Sequence, residues 1–259
     1  MRITFVIISV SDRIVELNEL LDSIRKYSKF NDYHISILYQ DYLNNSHLIN
    51  TDRVNNLFIY PERLGCSGAR IQLLKDINHL EYDYYVNLDD DIILGQYTNY
   101  TNAIIKCSER TTGFVLTNWA RNEKLMLDKV PKMQDKFVKQ ALIYNGGGMV
   151  YNKTIAKIMQ SLEIKKTTFD NEWALTAYLL GYNNYRYLGS LAVHKICAKG
   201  GMRKFMEEED HVLTQTEYID YRYGTSKQKG WNVCIPLDSD LKKIAHQIHK
   251  VNNENLQSK

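Results

Sequence analysis

The segment RITFVIISV, residues 2–10, constrains the fold more than any other stretch of the chain. Its apolar run from Ile3 to Val10 is too short to cross a bilayer, and it is followed by Ile14, Leu17, Leu20, Leu21 and Ile24 at helical spacing. Asp12 is expected to cap that helix, which closes with Arg25 and Lys26. A strand apolar on both faces needs a cover on each side, which a parallel sheet with crossover helices supplies. The unit repeats. HISILYQ (34–40) and NLFIY (56–60) read as strands, Ser67 to Leu80 as a helix, and DYYVNL (83–88) as a fourth strand. The alternation predicts an α/β fold with a parallel sheet, helices on both faces, and ligands at the carboxyl ends of the strands. Ser9–Arg13 and Asp89–Asp91 both fall at such ends.

The second half is less regular. GFVLTNW (113–119), LIYNGGGMVYN (142–152) and YRYLGSLAV (185–193) look like strands, and Lys153–Leu162 and Asn171–Leu180 like helices. No linker divides the chain, and 259 residues with 44% hydrophobic content suffice for one large domain. The last ~20 residues are polar and read as a surface helix with a frayed tail. Cys66, Cys107, Cys197 and Cys234 form no C-x-x-C pair, which argues against a zinc knuckle or a disulfide framework. With no transmembrane run and no small-residue cleavage pattern after the first apolar stretch, a cytoplasmic location is expected. A net charge of +3 suits an anionic ligand but does not by itself mark a nucleic-acid binder.

In YYVNLDDDIIL (84–94) three carboxylates, Asp89, Asp90 and Asp91, follow an apolar strand. Like charges this close stay ionised only in water or beside a cation, so an acidic turn and a metal site are the two readings. Alternate residues of an extended segment share a face, so Asp89 and Asp91 can address one site while Asp90 points elsewhere. Such oxygen ligands suit Mg²⁺ or Mn²⁺.

Three motifs together resemble family-two, GT-A-type glycosyltransferases. TFVIISVSDRIVELNELLDSI is similar to the opening strand, nucleotide loop and helix of that family. LGCSGARIQLL resembles its G-x-x-x-A-R helix start, and YYVNLDDDIIL its metal-binding D-x-D. Further on, NGGGMVYNKTIAKI looks like its glycine-bearing strand and helix, and FDNEWALTAYLLGY like its E-D-x-E-L segment. The likeness covers roughly residues 3–230. It departs at Ser9-Val10, where Pro-Thr is usual, and at Phe169, where a Glu normally precedes the catalytic Asp.

The resemblance implies a Rossmann-like nucleotide-binding half (1–118), a continuous acceptor half (119–235) and a C-terminal helix and tail (236–259). It implies a nucleoside-diphosphate sugar as donor, with Val10, Asp12, Arg13, Asp41, Arg70, Asp89 and Asp90 on the donor side and Asp89, Asp91 and His194 as ligands of Mn²⁺ or Mg²⁺. Arg13 reads equally as an ion-pair partner, Arg70 as an exposed helix arginine, and His194 as a hydrogen-bonded structural residue. KICAKGGMRK offers Lys199 and Arg203 to a diphosphate, or is a basic surface turn. Asp170 is the implied general base of an inverting transfer; as a residue type it is also a good helix N-cap, and Glu172 competes for the base role. Gly147 and Gly148 allow close approach of a sugar or mark a strand bulge, and Glu172 and Trp173 fall on the acceptor side.

The acceptor implied is a hydroxyl, on a glycan by default. A hydroxymethylated pyrimidine in phage-type DNA is the alternative, with Lys227, Lys229, Lys242 and Lys243 as phosphate contacts or as a solvated face. A sugar-phosphate nucleotidyltransferase is disfavoured because SVSDR has no glycine, and a silent nucleotide- or carbohydrate-binding module is the remaining alternative.

Overall fold

The computed structural model describes residues 1–52, 54–120, 133–140, 148–161 and 170–195. The elements of the first half are β1 (Ile3–Val10), α1 (Ile14–Tyr27), β2 (His34–Gln40), β3 (Asn56–Tyr60), α2 (Cys66–Asp76) and β4 (Tyr84–Asp89). They match the expected alternation, with α2 ending four residues early and a 3-10 turn over Asn78–Leu80. Then follow β5 (Ile92–Ile93), α3 (Thr101–Cys107), β6 (Thr112–Ala120), β7 (Phe137–Gln140) and β8 (Met149–Asn152). The chain continues through α4 (Lys153–Gln160), α5 (Asp170–Leu179) and β9 (Asn183–His194).

The strands form one sheet in the order β3-β2-β1-β4-β8-β6-β9-β5, with β7 also against β9. The parallel sheet expected from the alternation holds for β1 to β4, and the second half adds antiparallel pairs. β8 runs antiparallel to both β4 and β6, and β5 and β7 run antiparallel to β9. Because β8 reverses direction between two neighbours, β6 and β9 point the same way as β1 to β4. The carboxyl ends of β1, β4, β6 and β9 therefore share one edge of the sheet.

Helices cover both faces, as the two-sided apolar strands require. On one face Ile3, Phe5, Ile7, Ile35, Ile37, Val86 and Leu88 pack with Leu17, Leu20, Leu21 and Ile24 of α1 and with Ala103, Ile104 and Cys107 of α3. On the other, Val6, Ile8, Leu38, Tyr85, Leu116 and Met149 pack with residues of α2, α4 and α5. The alternation of Phe5 and Ile7 with Val6 and Ile8 is the period-two signature of a strand buried on both sides.

Asp12 does not cap α1 through its side chain. Its carboxylate instead accepts the hydroxyl of Tyr42, and a 3-10 turn over Ser11–Arg13 leads into the helix. Asn152 does cap α4, its Oδ1 accepting from Ile155 N at 3.1 Å. In β9 the pairing with β6 jumps from Thr117↔Tyr187 to Asn118↔Leu191, so Leu188, Gly189 and Ser190 bulge out. The bulge lets β9 change partner, from β7 at Asn184–Tyr187 to β5 at Val193 and His194.

Candidate active site

The chain runs from β1 outward to β2 and β3 and returns to β4 on the other side of β1. The carboxyl ends of β1 and β4 thus flank a topological switch point, where open α/β sheets leave a crevice. Ser9 near the end of β1 donates its hydroxyl to Asp90 Oδ2 at 2.7 Å, joining the two strand ends.

Asp89 and Asp91 share a site, as the alternation required, while Asp90 turns to Ser9. The third member arrives from β9. Ile92 pairs His194 in register, and Lys195 N donates to the Asp91 carbonyl at 2.8 Å, so the turn after the acidic run is stitched to the end of β9. His194 Nε2 lies 3.0 Å from Asp91 Oδ1, and potential ligand atoms of Asp89, Asp91 and His194 lie within 4.8 Å of one another. Two carboxylates and an imidazole suit a divalent ion such as Mn²⁺. Supports fix the position: Lys195 Nζ reaches Glu19 Oε2 of α1 at 2.5 Å, and Leu94 N donates to Ser23 Oγ of the same helix at 3.0 Å.

Two arginines close the cluster. Arg13 is 6% exposed and its Nη1 lies 3.6 Å from Asp91 Oδ2. Arg70 is 4% exposed and pairs with Asp89 Oδ1. Arg70 is therefore not on a solvated helix face, and each carboxylate of the metal group carries its own guanidinium. Burial pushes the Asp90 carboxyl up to about 7; Asp91 and Asp89 add to the rise, and the Ser9 hydrogen bond and Arg13 oppose it.

Val10 ends β1 as a buried residue. Asp41, next after β2, anchors its own loop: Oδ1 accepts from Asn45 N at 2.8 Å and from Ser11 Oγ at 3.2 Å, and Oδ2 from Ser46 N at 3.1 Å. Burial raises its pKa, but these hydrogen bonds and one from the Ser46 side chain outweigh it and hold the carboxyl below its usual value.

On the acceptor side, Gly148 has φ +91°, and a Cβ there would stand 2.5 Å from Thr117 Oγ1, so backbone conformation and packing both call for glycine. Trp173 is corrected as an acceptor contact. It is 1% exposed in the core between α5 and the sheet, and offers no open ring face. Asp170 opens α5, but its side chain and that of Glu172 lie outside the described residues, as do Gly147, Lys199, Arg203 and the C-terminal lysines.

Sequence reasoning placed Ser9 at the strand-end crevice without giving it a role, and missed Trp119. Trp119, near the end of β6, sets its ring edge-on to His194 with centroids 4.9 Å apart. Its signal was available, because a parallel β6 delivers its last residues to the same edge as His194.

No family model matches the sequence, and no curated protein matches it. Solved structures do match the fold. A mannosyltransferase, PcManGT from Pyrobaculum calidifontis, in complex with GDP-Man and Mn²⁺, superposes with a TM-score of 0.63 at 15% identity, over 96% of this chain and 70% of that one. TarS 1-349 from S. aureus, in complex with UDP-GlcNAc, gives 0.54 at 14% identity, over 95% and 79%. The chain has the fold of GT-A-type glycosyltransferases. Among the described residues no helix is long and apolar enough to cross a membrane.

Proposed function

We propose that this chain is a metal-dependent, inverting glycosyltransferase that moves a sugar from a nucleoside-diphosphate sugar to a hydroxyl acceptor, a glycan by default. The observation that carries the reading is the Asp89–Asp91–His194 group at the switch point of a GT-A sheet. The complexes of PcManGT with GDP-Man and of TarS with UDP-GlcNAc support the donor class.

Asp89, Asp91 and His194 would hold Mn²⁺ or Mg²⁺, which when bound supplies positive charge to the leaving diphosphate. Val10, Asp12, Arg13, Arg70, Asp90 and the loop fixed by Asp41 border the donor. Lys199 and Arg203 are assigned to the diphosphate from the sequence. In the transfer step the acceptor oxygen attacks the anomeric carbon, the bond to the diphosphate breaks on the opposite side, and the hydroxyl proton passes to a carboxylate. Asp170 is that base in the proposal, with Glu172 as its competitor. Gly147 and Gly148 border the acceptor.

Turnover of GDP-mannose and UDP-N-acetylglucosamine is measured with Mn²⁺ and with EDTA, in the presence of glycan acceptors. Release of the nucleoside diphosphate that depends on the ion, with the anomeric configuration reversed in the product, is the expected result. A product that keeps the donor's configuration removes the single displacement. The absence of both turnover and thermal stabilisation across a panel of nucleotide sugars with Mn²⁺ overturns the reading.

A further inference from the structure

The ion-ligand carboxylates already have cationic partners. Asp91 divides its oxygens, Oδ1 toward His194 and Oδ2 toward Arg13, while Asp89 Oδ1 is paired with Arg70. Both guanidiniums are buried, so neither can turn to bulk water when its carboxylate is drawn away. Arginine stays charged under any condition that leaves the protein folded. The Arg13 contact, at 3.6 Å, is an ion pair longer than a hydrogen bond, a geometry that can be exchanged without tearing a tight fork apart.

Charge balance gives the consequence. Asp89 is paired with Arg70 and Asp91 with Arg13, so each carboxylate is already offset by a guanidinium, with Asp90 beside them. A divalent ion arriving alone brings its charge against two resident cations, and a diphosphate arriving alone brings its charge against the neighbouring aspartates. When both arrive their charges largely offset each other, and the guanidiniums can pair with phosphate oxygens.

We propose that Arg13 and Arg70 are resident counter-cations that stand in for the ion. They weaken ion binding in the absence of nucleotide and pass to the diphosphate when the ion enters, which couples the two ligands. This rests on the nucleotide-sugar reading and adds to it a rule for how the site fills. Charge exchange at these two side chains makes ion and donor enter together, and a site emptied of product releases both.

The test is a titration of Mn²⁺, followed by the electron paramagnetic resonance signal of the free ion, with and without saturating GDP or UDP. Binding of each nucleoside diphosphate with and without Mn²⁺ is measured by calorimetry, and ion–nucleotide association in solution is subtracted. In the unmodified protein each ligand is expected to tighten the other by about 10–100-fold, the ordinary range of such coupling. Arg13→Gln and Arg70→Gln, checked for folding by thermal melting, are expected to bind Mn²⁺ alone about tenfold more tightly and to lose most of the coupling. Independent binding of ion and nucleotide to the unmodified protein overturns the inference without any variant. Folded variants whose affinity for Mn²⁺ alone is unchanged or weaker also overturn it. Failure of every nucleoside diphosphate and nucleotide sugar to bind removes the functional reading instead, while the ion-only titration of the two variants still decides whether the arginines oppose the ion.

Discussion

The sheet between β3 and β4 and the sheet from β8 to β9 are built by different rules. In the first, four strands run parallel in unbroken register, Thr4 to Val10 matched one for one with His34 to Gln40, and β1 is buried along its whole length. In the second, β8 is reversed, β6 and β9 shift register twice, and β9 takes two successive partners on its outer edge. A regular platform holds a ligand's position, and an irregular edge can carry loops that differ from one acceptor to another. The crevice sits where the two meet, with Asp89 supplied by the regular half and His194 by the irregular one.

The largest effect expected separates the halves by function. Asp170→Asn should leave nucleotide binding by the parallel half intact and lower transfer by about 10²–10⁴-fold. Comparing single-turnover transfer with donor affinity checks it, and Glu172→Gln run in parallel reassigns the base if that variant alone is inactive. Next, Asp91→Ala should weaken Mn²⁺ by about 10–100-fold or more, since even groups that only support a metal ligand cost that much. Asp90→Ala should leave ion affinity nearly unchanged because its carboxylate faces Ser9. Equal losses in calorimetric titration would erase the distinction between the two carboxylates.

A smaller contrast lies in two glycines. Gly148→Ala meets both a positive φ and Thr117 Oγ1, and is expected to destabilise by about 1–3 kcal/mol. Gly68→Ala in α2 places its Cβ 3.8 Å from Leu64 Cβ and should stabilise by about 0.5–1 kcal/mol. Urea unfolding of both variants decides, and changes of the same sign would contradict the packing described. The last contrast concerns alkaline pH. Burial pushes the phenols of Tyr39 and Tyr85 in the parallel half from 10.0 up to about 12, with nearby Asp41 adding to Tyr39 and Tyr82 to Tyr85. A group with a raised folded pKa contributes its stability fully below the unfolded value and loses it as pH climbs through the folded one. The contribution of these two phenols should therefore be level below pH 10 and fall between about 10 and 12, which denaturant titrations at stepped alkaline pH will show; ultraviolet titration with all tyrosines ionising near 10 in folded protein would refute it.

The same contrast explains what was legible in the sequence. The β1–α1 unit and the three strands after it were readable because both periods, two and 3.6, are carried by long apolar runs. Neither the two residues of β5 nor the four of β7 can express a period, so both went unread. The direction of β8 was hidden because strand residues do not encode orientation; neighbours decide it. The bulge in β9 did leave a trace, Gly189 within an otherwise strand-like run. At the site, the acidic run and His194 were readable by residue type and position. Asp12 as a cap and Arg70 as a solvated residue failed for one reason: partners distant in sequence, Tyr42 and Asp89, claimed their charges. Trp173 failed because an aromatic in a helix fits a core as well as a sugar, and burial decided for the core.

The short contact between β5 and β9 also bears on when the site becomes complete. Asp91 and His194 are brought together by the pairs Ile92↔His194 and Ile93↔Val193 and by the bond from Lys195 N to the Asp91 carbonyl, which close a loop containing α3, β6, β7, β8, α4 and α5. Loop closure carries an entropic cost before the contacts it brings can repay it, so this pairing is expected to form late. A chain with only β1 to β4 formed would hold its aspartates and both arginines, yet lack the imidazole. A divalent ion held by all three ligands would thus select molecules in which that seam is closed, and by mass action would protect them from reopening there.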